Sequence, residues 1–243
     1  MHGPLLGEFM GTLVLILLGD GVVANVLLKK SKGENSGWIV IATGWGLAVV
    51  AAIFTAIAFG SPGAHINPAI TLTVALLSRD WSNVGWFWGA QIMGAFAGAG
   101  LVWMTYLPHW RVTPDTGAKL GIFCTSPAIR NLPANLLTEI IATTCLIVVG
   151  FSFEGKAASP GGLPAGFGPW LWGVLVWAIG LSLGGATGYA MNPARDFGPR
   201  LAHAILPISD KGNSDWGYAF VPIVGPLIAG GIGAAIIKAV GIR

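Results

Sequence analysis

Asn67-Pro68-Ala69 and Asn192-Pro193-Ala194 are the same three residues met twice. Each opens a short amphipathic stretch inside a strongly apolar chain. Alone, an Asn before a Pro is an ordinary helix start: Asn caps the first turn and Pro occupies the first helical position. Two such starts, one per half of a membrane-type chain, imply two helix ends facing each other within the bilayer. That arrangement suggests a pore.

Of the 243 residues, 54% are hydrophobic and 9% are charged, against about 25% charged in soluble domains. Nearly uncharged stretches recur near positions 4–28, 37–59, 83–106, 134–153, 163–183 and 217–238. Each is long enough to cross a hydrocarbon core about 30 Å thick as a helix. The sequence therefore predicts an all-α membrane protein, with six transmembrane helices plus two re-entrant half-helices, forming one channel domain over 1–243. Small residues let membrane helices approach closely, and Gly94, Gly98 and Gly100 are expected to face a matching run at Gly225, Ala229, Gly230 and Gly231. Trp38, Trp81, Trp170 and Trp216 fall near span ends, where indoles favour the interface.

The net charge of +3 is small and scattered apart from Lys29, Lys30 and Lys32, so no nucleic-acid surface is expected. Cys124 and Cys145 form neither a disulfide framework nor a metal site, and nothing calls for a cofactor. The first span lacks a positive n-region and carries Glu8, so it reads as a span and not a cleaved signal peptide.

The two halves share an order. Gly7-Glu8-Phe9-Met10-Gly11-Thr12 aligns with Thr138-Glu139-Ile140-Ile141-Ala142-Thr143, and the motif segments Gly63–Ala69 and Gly188–Ala194 follow in step. An odd number of spans per unit forces the second copy into the opposite orientation. The result is an inverted repeat of two three-helix halves: repeat 1 over about 1–106, a polar linker loop over about 107–133, and repeat 2 over about 134–243.

About ten residues follow each asparagine before the apolar run stops, and at 1.5 Å per residue they cover roughly half a membrane. Neither segment spans alone, so both should dip in and meet near the midplane. Irregular backbone at that depth is tolerated only where protein or a water-filled cavity satisfies it. Gly63, Ala64 and His65, with Ala190 and Met191, should then present carbonyls to the lumen. Each asparagine uses its oxygen as a cap and leaves its NH2 free to donate. Two positive helix ends at the centre repel cations and hydronium.

These residues resemble the major intrinsic proteins, and more narrowly the aquaglyceroporins, or glycerol facilitators. The resemblance covers essentially the whole chain and is most specific in Gly188-Tyr189-Ala190-Met191-Asn192-Pro193-Ala194-Arg195-Asp196-Phe197-Gly198-Pro199-Arg200. It implies a passive channel of the aquaporin-like fold, assembled as a homotetramer in the plasma membrane. The implied solutes are glycerol, with dihydroxyacetone, urea, undissociated lactic acid and water as relatives' alternatives. By position, the selectivity filter would comprise Trp45, Gly180, Tyr189 and Arg195: two aromatic faces against a solute's carbon chain, with Arg195 donating to its hydroxyls. Asp196 is the residue type that glycerol facilitators carry after the filter arginine. Two departures stand out. Tyr189 occupies a position usually held by Phe, and the interval from Trp45 to Asn67 is longer than usual around Phe59-Gly60-Ser61-Pro62.

Intramembrane carboxylates are functional candidates by default. Glu8 and Glu139 are read here as acceptors for the loops before the half-helices in preference to a proton relay, and Asp196 as a support for its own loop. Asp20 is expected near the interface at the end of its span. His65 is expected to line the pore through its carbonyl, and His109 and His203 carry no expected role. An ion-coupled secondary transporter shares the inverted-repeat logic but should saturate and respond to an ion gradient. An intramembrane enzyme would need a nucleophile or metal at the midplane, where the chain offers asparagines. With both termini inside, as the family resemblance implies, Arg79, Lys156, Lys238 and Arg243 lie on the cytoplasmic side. Lys29, Lys30, Lys32, Arg111, Lys119, Arg130 and Lys211 lie opposite, so a count of basic residues favours the reverse orientation.

Overall fold

A computed structural model describes residues 2–242; Met1 and Arg243, the latter counted above among the basic residues, lie outside the described residues. Ten helices follow in order: α1 (Pro4–Leu27), α2 (Trp38–Ala58), α3 (Pro68–Ser78), α4 (Val84–Thr105), α5 (Leu107–Val112), α6 (Thr116–Phe123), α7 (Leu132–Phe153), α8 (Phe167–Leu183), α9 (Pro193–Ile205) and α10 (Phe220–Val240). No strand occurs among the described residues. α1, α2, α4, α7 and α10 are long and apolar enough to cross a bilayer.

The fifth expected span, 163–183, starts later than its hydropathy suggests. Pro164 and the left-handed cap at Gly166 (φ 78°) delay the helix to Phe167, so α8 has 17 residues. At 1.5 Å per residue that is about 25 Å, the short end of what crosses a membrane. The linker also differs from expectation, because it is not a plain loop. Pro108 starts α5, and Asp115 caps α6 by accepting from the Ala118 amide at 3.0 Å. α6 packs under α1 and α9 and thereby closes one face of the bundle.

The packing follows the repeat. α1 packs on α2 and α4 as α7 packs on α8 and α10; α4 packs on α9 as α10 packs on α3; α2 meets α8 and α3 meets α9 across the axis. The glycine runs do not face each other as expected. A side chain at Gly94 would sit 2.2 Å from the Phe9 carbonyl of α1, while Gly225 stands against Glu139 of α7 and Gly230 against Ala69 of α3. Small residues are needed where the first and last spans of each repeat cross, and where α10 meets α3 of the other repeat, and not between α4 and α10. Because the obstacle at Gly94 is backbone, Gly94→Ala should force α1 and α4 apart and cost about 1–3 kcal/mol. Thermal unfolding in detergent would register the loss, and an unchanged transition would refute the close crossing.

The three loops on one face are tied together. The Lys29 amide donates to Thr113 Oγ1 at 3.0 Å, and Lys119 Nζ reaches the carbonyls of Ser209 and Asp210. On the opposite face Lys238 Nζ donates to the Leu76 carbonyl at 2.7 Å, which joins the end of α10 to the end of α3.

Candidate solute pathway

Each half-helix begins at its asparagine. Asn67 and Asn192 have extended backbones, and their side-chain oxygens cap α3 and α9 by accepting from Ala69 N at 2.8 Å and Ala194 N at 3.0 Å. Their amide groups then cross between the halves. Asn67 Nδ2 donates to the Met191 carbonyl at 2.9 Å, and Asn192 Nδ2 donates to the Ile66 carbonyl at 2.8 Å. The NH2 groups are therefore not wholly free, as the sequence reading had them. One proton of each is committed to the opposite loop, and the second is the donor left for the lumen.

The loops before the asparagines share an uncommon backbone. Ala64 (φ 40°) and Ile66 (φ 46°) match Tyr189 (φ 38°) and Met191 (φ 51°), all in the left-handed region. Such conformations cost about 1–3 kcal/mol each, and a β-branched Ile66 tolerates them poorly. The buried carboxylates of the repeat hold them in place. Glu8 accepts from Ser61 Oγ at 2.7 Å, His65 N at 2.8 Å, Ile66 N at 2.6 Å and Gln91 Nε2 at 2.7 Å. Glu139 accepts from Thr187 Oγ1 at 2.7 Å, Ala190 N at 3.0 Å and Met191 N at 2.9 Å. The long interval around Phe59-Gly60-Ser61-Pro62 thus supplies one of the donors, Ser61. Gln91, invisible as a partner in the sequence, supplies another from α4.

A cavity of about 410 Å³ is bordered by Gly63, Ala64 and His65, by Ala190 and Met191, by both asparagines, and by Trp45, Tyr189 and Arg195. The His65 ring is turned aside, with Nδ1 3.1 Å from Thr71 Oγ1 and the ring edge-on to Phe87. Gly180 does not border the cavity. A side chain there would stand 2.8 Å from the Tyr189 ring, so its glycine makes room for that ring. Trp38, expected only as an interface anchor, donates to the Gly180 carbonyl at 2.9 Å and meets Tyr189 edge-on at 5.8 Å.

Arg195 lies with its guanidinium carbon 4.1 Å from the centre of the Trp45 ring. The cation therefore lies against the aromatic face. Asp20 departs most from expectation. It does not reach the interface; it is wholly buried, with Oδ1 3.6 Å from Arg195 Nη1. Asp196 turns away from the cavity and accepts from Arg200 Nε at 2.7 Å and from the amide and hydroxyl of Thr125 at 2.8 and 2.7 Å. Arg200 was not singled out by sequence reasoning, although its spacing from Asp196 is the helical i, i+4 separation that signals a pair.

The profile of the family described as "Major intrinsic protein" matches residues 2–237. The chain belongs to the major intrinsic protein family. This major intrinsic protein is 59% identical over 232 residues to the "Probable glycerol uptake facilitator protein" of Thermotoga maritima, covering 95% of this chain and 96% of that one. It is 52% identical over 233 residues to "Glycerol uptake facilitator protein 3" of Lactiplantibacillus plantarum, covering 96% and 94%. Among solved structures it is similar to the aquaglyceroporin from Plasmodium falciparum, with a TM-score of 0.85, 28% identity, and coverage of 98% and 95%. It is a multi-pass membrane protein, and the family's members are channels, not enzymes.

Proposed function

We propose that this chain is a passive channel for glycerol and similar small neutral solutes, which also passes water and excludes ions and protons. The observation that carries the reading is the pair of half-helices whose asparagine amides cross between the halves beside one cavity. Two capped N-termini place fixed donors and two positive dipole ends at the same depth. A neutral hydroxyl finds donors there, while a cation finds repulsion. Similarity to glycerol uptake facilitators supports the solute class. In this reading Trp45, Tyr189 and Arg195 form the filter, Gly180 gives Tyr189 its space, and Glu8, Glu139 and Asp196 are the scaffold. Dihydroxyacetone and urea fall in the same solute class.

The unit of function is a homotetramer with one pore per subunit, in the plasma membrane with both termini inside. The excess of basic residues on the opposite face has a structural account that supports this orientation. Lys29 is paired with Glu34 at 2.8 Å and Arg130 with Asp215, Lys119 is buried against carbonyls, and Lys211 Nζ caps the end of α9 at Ala204 and Leu206. Those cations serve the loops that cover the pore mouth.

A second reading, the same fold tuned to undissociated lactic acid or mainly to water, is favoured by one observation. The Tyr189 hydroxyl is buried at the constriction and makes no hydrogen bond to another protein group. Stopped-flow light scattering on proteoliposomes separates the readings. Fast, non-saturating glycerol entry, independent of any ion gradient, is the expected result. Slow glycerol beside fast water or fast lactic acid at low pH would transfer the assignment to the second reading.

A further inference from the structure

We propose that Asp20 is a specificity-determining residue of this channel: from behind Arg195, its carboxylate offsets the guanidinium charge, so that the constriction donates hydrogen bonds to neutral solutes without drawing in small organic anions. The inference rests on the reading of Arg195 as a donor to the lumen.

The other buried carboxylates have structural employment. Glu8, Glu139 and Asp196 each accept from backbone amides and from side-chain donors, and those bonds account for their burial. Asp20 does not fit that pattern. It is fully buried in α1, and neither carboxylate oxygen accepts a hydrogen bond from another protein group. A bare carboxylate at this depth is costly and calls for an account. The one it has is Arg195, whose Nη1 stands 3.6 Å from Oδ1 and likewise makes no hydrogen bond. That separation exceeds a hydrogen bond, so the interaction is one of charge with charge.

The neighbouring residue completes the arrangement. A side chain at Gly19 would stand 2.2 Å from the Trp45 ring, so Gly19 admits the ring on which the guanidinium rests. Consecutive residues of α1 therefore seat both partners of the constriction, Trp45 at Gly19 and Arg195 at Asp20. Asp20 itself does not border the cavity, so it acts through Arg195 and not on the solute.

The consequence is electrostatic. Two half-helix N-termini already contribute positive potential along the lumen. With Arg195 uncompensated, the passage would attract monocarboxylates. A carboxylate a few ångström behind the guanidinium removes most of that attraction, because charges at such separations interact strongly at the effective dielectric of a protein interior.

The test uses the purified full-length protein in proteoliposomes, with glycerol entry followed by light scattering. Lactate anion uptake at neutral pH is driven by an imposed inside-positive potential, to which the neutral acid does not respond. Asp20→Asn should raise the ratio of lactate to glycerol flux by about tenfold or more, the scale expected for removing a unit charge at this range. Asp20→Glu should keep the anion out. Adding Asp20→Asn to Arg195→Ala should change nothing further. An unchanged ratio in Asp20→Asn, with Arg195→Ala altering selectivity, overturns the inference and leaves the filter reading standing. A silent Arg195→Ala overturns both. If Asp20→Asn does not assemble, as judged by size exclusion, Asp20→Glu decides: lactate leak in that charge-retaining variant overturns the proposal, and retained exclusion supports it.

Discussion

Glu8→Ala yields little folded protein in detergent, and what is recovered unfolds far below the wild-type temperature: this is the expected result of removing one acceptor from beneath the first loop. Four donors lose this acceptor, among them the amides of His65 and Ile66 and the fully buried Gln91 side chain, which keeps only its bond to Thr71 Oγ1. Hydrogen bonds to a charged acceptor are worth about 1.5–3 kcal/mol each, and buried donors left unmade carry a similar penalty. Against a total stability of about 5–15 kcal/mol for a typical domain, losing even half of them is decisive. The left-handed backbone at Ala64 and Ile66 would relax at the same time, so any protein that survives should also conduct poorly. Glu8→Gln should fall between, since it retains one acceptor oxygen and turns an NH2 toward donors. Size exclusion and thermal unfolding of the three proteins check the order. A wild-type transition in Glu8→Ala would remove the scaffold role.

Asp196→Ala should be comparably severe for a different reason. Asp196 and Arg200 are both wholly buried, and their pair ties α9 to two other parts of the chain. Arg200 donates to the Ser214 carbonyl at 2.6 Å and to the Thr125 carbonyl at 3.0 Å. Deleting one member of a buried pair leaves an uncompensated charge and costs about 3–5 kcal/mol. Replacing Arg200 as well by an apolar side chain of similar length removes the charge that Asp196→Ala leaves unpaired. Asp196→Ala combined with Arg200→Met should therefore be more stable than Asp196→Ala alone, despite carrying one more change. The comparison is made by unfolding in detergent, and strict additivity of the two losses would show that the pair is not coupled.

What the sequence could reveal divides along the repeat. Residues that recur in both halves, the asparagines, prolines and Glu8 with Glu139, were legible because duplication doubles each signal in the same order. The caps were legible too, since Asn before Pro acts locally. Contacts that occur in one half only were not. Asp20 has no counterpart to announce it, and only the approach of α9 brings Arg195 to it. Gln91 carries no local signal of its role, and Trp38 read as an interface anchor. The late start of α8 and the two helices of the linker depend on turn geometry at Gly166 and on the cap at Asp115, which a hydropathy profile averages away.

The crossed asparagine bonds have a bearing on how the molecule is made. Asn67 finds its acceptor at Met191, and Ile66 finds its donor at Asn192. During synthesis, the first half emerges with both groups unmatched, more than a hundred residues before their partners exist. The central waist therefore cannot close until the second half has inserted. The reciprocity of the two bonds is that of an isologous contact, in which each side offers the other what it receives. The single chain keeps at its centre the handshake of a dimer.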